Sequence, residues 1–205
     1  MRRGILVHDR SSATAEDCDV FENDNAGIEV SDQGDAQVLN TKVHNEGKVG
    51  IVVWRNSTAT IENVTVYENG STGLLVASGG KPNIRKSIFR THTYSAIEVK
   101  DGGDPLIEQS QIYDGRSGGI FFYNGGLGRV QECSVFANMG SNVVISSGSN
   151  PQIYKSSLSE GGLCRSAGVR RRSRLNQRMP DLQQLPGDRN QRKQQSISTE
   201  LPDQQ

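Results

Sequence analysis

A spacing of 23 residues governs this chain. Cut from Gly4, seven consecutive units run from "GILVHDRSSATAEDCDVFENDNA" to "NVVISSGSNPQIYKSSLSEGGLC" and fill residues 4–164 without an insertion. The second place of each unit reads Ile5, Ile28, Ile51, Leu74, Ile97, Ile120 and Val143, and the fourth reads Val7, Val30, Val53, Val76, Val99, Phe122 and Ile145. The twelfth and seventeenth places are also apolar in every unit, as in Val38, Ile61 and Ile84, or Val43, Val66 and Phe89. Apolar places two apart follow the strand period, and β-branched side chains suit a pleated surface. Gly, Asn, Asp and Ser fill the stretches between them, as turns require. Each unit is therefore three short strands and three turns, too small to bury a core alone. Stacked units bury one continuous apolar column.

A leucine-rich repeat has a similar length but needs several Leu per unit. These seven units hold eight Leu in all and no L-x-x-L-x-L run. The fold class that remains is all-β, a parallel β-helix of about seven 23-residue coils. Coils about 4.8 Å apart give a solenoid of about 30 Å.

The fifteenth place reads Cys18, Thr41, Val64, Ser87, Ser110, Cys133 and Ser156, a column of small inward residues. Cys18 and Cys133 stand five coils apart, roughly 24 Å at that rise, so they are packing residues and not a disulfide. With Cys164 they make no CxxC pair and no metal-ligand spacing. His8, His44 and His92 fall in three different columns and read as ordinary surface or turn residues. The sequons at Asn56, Asn63 and Asn69 read as Asn in turns. No apolar run approaches a membrane span, and "MRRGILVHDRSS" lacks the apolar segment of a secretory signal. An intracellular protein, cytoplasmic or nuclear, with no membrane contact is the expectation.

The net charge of zero hides an asymmetry: residues 1–164 carry 14 Lys+Arg against 19 Asp+Glu, and residues 165–205 carry 9 against 4. The chain thus divides into a β-helix domain at 1–164 and a basic Gln/Arg-rich tail at 165–205. The tail keeps neither strand nor helix period and is poor enough in apolar residues to be disordered. "CRSAGVRRRSRLNQR" reads as an arm for nucleic acid or nuclear import if the tail is genuine. The other reading is a frame slip. Taken one base on, Met179-Pro180 must encode Cys, and one permitted translation, "CRIFSNCRGIEISGSNNP", resembles residues 133–151, "CSVFANMGSNVVISSGSNP". On that reading residues 165–205 are non-native sequence and the coils at 1–164 are a fragment of a longer solenoid, which Met1, three residues before a full unit, also suggests.

The cadence of "GGKPNIRKSIF", "DGGDPLIEQSQIYDGRSGGIFFYNGGLGRVQECSVFANMG" and "SGSNPQIYKSS" resembles the right-handed β-helix repeats of pectin-lyase-like proteins. It is most similar to the β-helix repeats of F-box-only adaptors of ubiquitin ligases. The resemblance implies right-handed coils over residues 4–164. It also implies a non-enzymatic scaffold that presents a protein or peptide, such as a ligase substrate. The same fold family includes polysaccharide lyases, hydrolases and periplasmic copper-loading proteins, so carbohydrate binding or polysaccharide processing is the alternative. The chain contains no F-box and no Cys/His-rich zinc module.

The third and fifth places flank inward residues of the first strand and are expected to face solvent. Trp54, Phe121 and Tyr123 are aromatic at those places, with Glu98, Lys100 and Asp101 between them. Exposed aromatics beside charges mark recognition surfaces. Trp54 and Tyr123 stand about 14 Å apart, which suits an extended peptide or an oligosaccharide. These six residues are the candidate binding face. No catalytic constellation emerges: Glu29 and Glu98 are three coils apart, roughly 14 Å, and the neighbouring Asp9 and Asp32 lack a third carboxylate for a calcium ion. They read as turn residues, and no cofactor or metal is expected.

Overall fold

The computed structural model describes residues 2–162. The basic segment 165–205, Cys164 and the frame-slip reading lie outside the described residues. Within them the chain winds through seven coils of three strands each, and like strands stack into three parallel seven-stranded sheets. The first sheet comprises Ile5–Val7, Ile28–Val30, Ile51–Val53, Leu74–Val76, Ile97–Val99, Ile120–Phe122 and Val143–Ile145. The second begins with Ser12–Glu16 and Asp35–Leu39, and the third with Asp19–Phe21 and Lys42–His44. Every strand pairs with its counterpart one coil on, as in Ile28↔Ile51 and Val38↔Ile61, so the 23-residue period is the register itself.

That register stacks like on like inside. Ile51, Val53, Leu74, Val76, Ile84, Phe89, Ile97, Ile107 and Ile120 are all 0% exposed. Each such side chain contributes about 1.5–3 kcal/mol relative to exposure.

The three corners are built from left-handed backbone. The first holds two such residues in succession, for example Asp32 (φ 53°) and Gln33 (φ 65°). Left-handed conformations are strained for most L-residues, least so for Asn and Asp. From the fourth coil on the second of these places is Gly, at Gly79, Gly102, Gly125 and Gly148, with φ between 72° and 75°. The other corners hold one each, such as Asn40 (φ 51°) and Asn45 (φ 53°).

Two inward polar ladders close these corners. In the fifteenth-place column, Thr41, Ser87, Ser110 and Ser156 each accept from a backbone N–H one coil back, at 3.1–3.2 Å. Each hydroxyl donates to the carbonyl two residues before it. Cys133 takes the same place, with Sγ 3.2 Å from the Gln131 carbonyl, and burial pushes its thiol up. Both Cys18 and Cys133 are free thiols.

The second ladder occupies the twentieth place and corrects one expectation. His92 is not an ordinary surface or turn residue but 0% exposed, and Asn69, at a corner as expected, is 1% exposed. Glu46 Oε2 accepts from the Asn23 N–H at 2.8 Å, Asn69 Oδ1 from the Glu46 N–H at 3.0 Å, and Asn138 Oδ1 from the Gly115 N–H at 3.0 Å. His92 Nδ1 faces the Asn69 N–H at 3.5 Å, which requires that nitrogen to be unprotonated. Burial lowers His92 to about 4 and holds the ring neutral, while it pushes the Glu46 carboxyl up. A Cβ at Gly73 would stand 2.4 Å from His92 Nε2, so the unit's leading glycine makes room for the ring.

Candidate functional site

The outer face of the first sheet is only partly open. Glu29 (5% exposed), Ser31 (3%), Val52 (9%) and Ala77 (3%) are buried, contrary to the expectation that the whole third and fifth columns face water. In the middle of a seven-stranded sheet, side chains one coil above and below screen their neighbours. Glu29 is further covered by Arg3, with which it forms an ion pair.

In the fifth and sixth coils the face carries a cluster. Glu98 is in register with Phe121, so the strands Ile97–Val99 and Ile120–Phe122 set their outward side chains next to one another. The Thr72 hydroxyl donates to Glu98 Oε1 at 2.9 Å, and the Tyr123 hydroxyl donates to Oε2 at 3.4 Å. The Phe121 and Tyr123 rings stack, with centroids 4.5 Å apart and planes at 27°. Lys100 Nζ lies 5.7 Å from the Tyr123 ring centre and 3.9 Å from Asp101 Oδ2. Asn124 Nδ2 donates to the other Asp101 oxygen. Burial, then the negative charge of Glu98 and the bond to it, push Tyr123 up to about 12, so its phenol stays protonated and donating.

Five of the six candidate residues, Glu98, Lys100, Asp101, Phe121 and Tyr123, are thus brought together; Trp54 is not. It sits in the third coil, half-buried, with the Arg55 guanidinium 4.1 Å above its ring and a buried Nε1 that finds no hydrogen-bond partner. Its column neighbours Ser31 and Ala77 are small. Thr72 was not legible as a site residue from its own unit. The signal for it is a spacing of 26, one coil plus three residues, which also joins Arg3 to Glu29.

Asp9 and Asp32 line one shallow recess with Arg10, Gln33 and Arg55, but each carboxylate is engaged by a basic neighbour. Both occupy left-handed corner positions; Asp9 pairs with His8 Nδ1 at 2.8 Å and Asp32 with Arg55 at 3.3 Å. Among the described residues no group of three or more His, Cys, Asp or Glu is placed to hold a metal ion. No helix among them is long and apolar enough to cross a membrane.

The third sheet carries an outward stripe that column reading of the first sheet passed over. Phe21 and His44 stack at 5.3 Å, His44 and Tyr67 at 4.5 Å, Arg90 covers Tyr67 at 4.5 Å, and Tyr113 stacks on Phe136 at 5.0 Å. The ring pairs are within 12° of parallel, and the end of the stripe at Phe21 is open, 47% exposed. His44 also bonds Asp19 at 2.9 Å through Nε2. Phe121 and Tyr123 stack on one another in the same way; what sets the first-sheet pair apart is the Glu98 carboxylate bonded to the Tyr123 hydroxyl.

The coil architecture is shared with solved structures of low sequence identity. A pectate lyase, Pel9A, is 15% identical, with a TM-score of 0.55 over 64% of this chain and 39% of the lyase. The A-module of the Azotobacter vinelandii mannuronan C-5 epimerase AlgE4 is 14% identical, with a TM-score of 0.60 over 75% of this chain and 55% of the module. The chain therefore spans well under two thirds of either protein's length. No curated protein sequence matches it. Neither structural neighbour is an F-box adaptor, and the resemblance to those adaptors gains no support from them. The family model for the right handed beta helix region matches residues 49–170, more than half of the chain, and this protein belongs to that family.

Proposed function

We propose that the outer face of the first sheet at the fifth and sixth coils binds a polysaccharide. The observation that carries this is the Glu98–Tyr123–Phe121 cluster: a carboxylate held in place by two hydroxyl donors beside a stacked aromatic pair. Sugar sites combine apolar ring surface with a few oriented polar groups that fix the ligand. Glu98 keeps acceptor capacity beyond its two bonds, because an ionised carboxylate offers about four lone-pair positions. Lys100, Asp101 and Asn124 add donors and acceptors at the edge. The parallel strands set one row of outward side chains per coil along the solenoid axis, a direction that suits an extended polymer. That a pectate lyase and a mannuronan epimerase share the architecture supports this reading over protein recognition.

The test is a glycan array run beside a peptide library on the purified chain, with Phe121→Ala and Tyr123→Ala as controls. Glycan binding that falls at least tenfold in both variants is the expected result. Peptide binding without glycan binding, lost in the same variants, would restore the scaffold reading drawn from the F-box resemblance. Undiminished binding in both variants would place the site elsewhere.

A further inference from the structure

The charges around Glu98 do not balance, and the imbalance bears on which glycan the face accepts. Along the third, fifth and sixth places of the first sheet stand the carboxylates of Asp9, Glu29, Asp32, Glu98 and Asp101. The cations beside them are engaged: Arg3 with Glu29, Arg55 with Asp32 at 3.3 Å and Lys100 with Asp101 at 3.9 Å, while Arg10, four coils from Glu98, bonds Gln33. Glu98 differs, because the hydrogen bonds it accepts come from the neutral hydroxyls of Thr72 and Tyr123.

A sugar carboxylate brought over Phe121 and Tyr123 would meet the Glu98 charge at close range on a partly dehydrated surface, where repulsion is only weakly screened. A sugar hydroxyl would instead donate to the free lone pairs of Glu98 and gain a charge-assisted hydrogen bond. We infer that this face takes an uncharged, hydroxyl-rich glycan and turns polyuronates away. The inference rests on the sugar-binding reading and narrows it. It also sets this chain apart from the pectate lyase and the mannuronan epimerase whose coils it shares, since those names specify acidic polymers.

The experiment is isothermal titration of the full chain with two sets of hexasaccharides, one neutral (β-linked glucose, xylose and mannose) and one acidic (galacturonate and mannuronate), at low and high salt. At least one neutral hexasaccharide should bind tenfold or more tightly than either acidic one, and salt should narrow the gap. Glu98→Gln keeps an acceptor for Thr72 and should bring the acidic set at least fivefold closer to the neutral set; circular dichroism checks that the variant folds. Acidic oligosaccharides that bind as tightly as the best neutral one, with affinity falling as salt rises, would overturn the inference and leave sugar binding intact. Binding of neither set would overturn both.

Discussion

The Tyr123 hydroxyl reaches across one coil to donate to Glu98 Oε2, while Thr72 holds the other carboxylate oxygen from the opposite side. The pair joins two adjacent coils through their side chains as well as their backbones, and it fixes the orientation of the one acid on this face whose bonds come from hydroxyls.

Tyr123 should titrate near 12 in an ultraviolet pH titration. Because the folded phenol is raised above its unfolded value, its stabilising effect is complete below about 10 and is lost as pH rises through about 12. Glu98→Gln removes the negative neighbour and should move this titration down toward 10. An unchanged titration would mean that the two groups do not interact in solution.

His92 should make the coil stack acid-sensitive. Its folded value is depressed to about 4, so the stability it contributes is present above about 6.5 and is lost as pH falls toward 4. The loss is on the order of 2–3 kcal/mol. Glu46 works against it: its carboxyl is raised, so protonation of Glu46 favours the folded state at low pH. His92→Asn should flatten the acid limb, since Asn138 in the same column already bonds a backbone N–H through Oδ1 and the Ile112 carbonyl through Nδ2. Urea unfolding at pH 7 and pH 5 checks this; equal pH dependence in both proteins would contradict it.

Phe89→Ala and Phe122→Ala should each cost about 3–5 kcal/mol, the usual range for emptying a buried aromatic site. Both rings are 0% exposed in columns otherwise filled by smaller aliphatic residues. Denaturant midpoints measure the loss, and a cost below about 1 kcal/mol would mean that the neighbouring coils collapse into the space.

Tyr67→Ala should remove both the His44 stack and the Arg90 contact on the third sheet, at a cost of about 1–2 kcal/mol. It should leave glycan binding untouched, because Tyr67 stands on the third sheet and the proposed site on the first. Loss of binding in this variant would move the site from the first sheet to the third.

The fold was legible because the period is the register: a residue and its counterpart 23 places on are paired neighbours, so a column such as Ile28, Ile51 and Leu74 reads directly as a core line. The twentieth-place ladder was missed: Asn23, Asn69, His92 and Asn138 share that column, but each was judged singly and not by its stacked neighbours. A histidine judged alone reads as surface; judged by its column it reads as interior. The site was less legible. Alternation along a strand says which side a residue faces, but the exposure of Glu29, Val52 or Ala77 depends on what the coils above and below carry. Trp54 looked like an anchor from its side-chain type, yet Arg55 covers it. Thr72 could be assigned only when the path from the third corner to the next strand was known.

Amide chemical-shift mapping of the isotope-labelled chain with a neutral hexasaccharide tests the central claim most directly. The account predicts shifts concentrated at Glu98, Lys100, Phe121 and Tyr123, spreading to Thr72 and to the adjacent coils along the solenoid axis. Shifts centred on Tyr67, Arg90 and Tyr113, or none at saturating sugar, would contradict it.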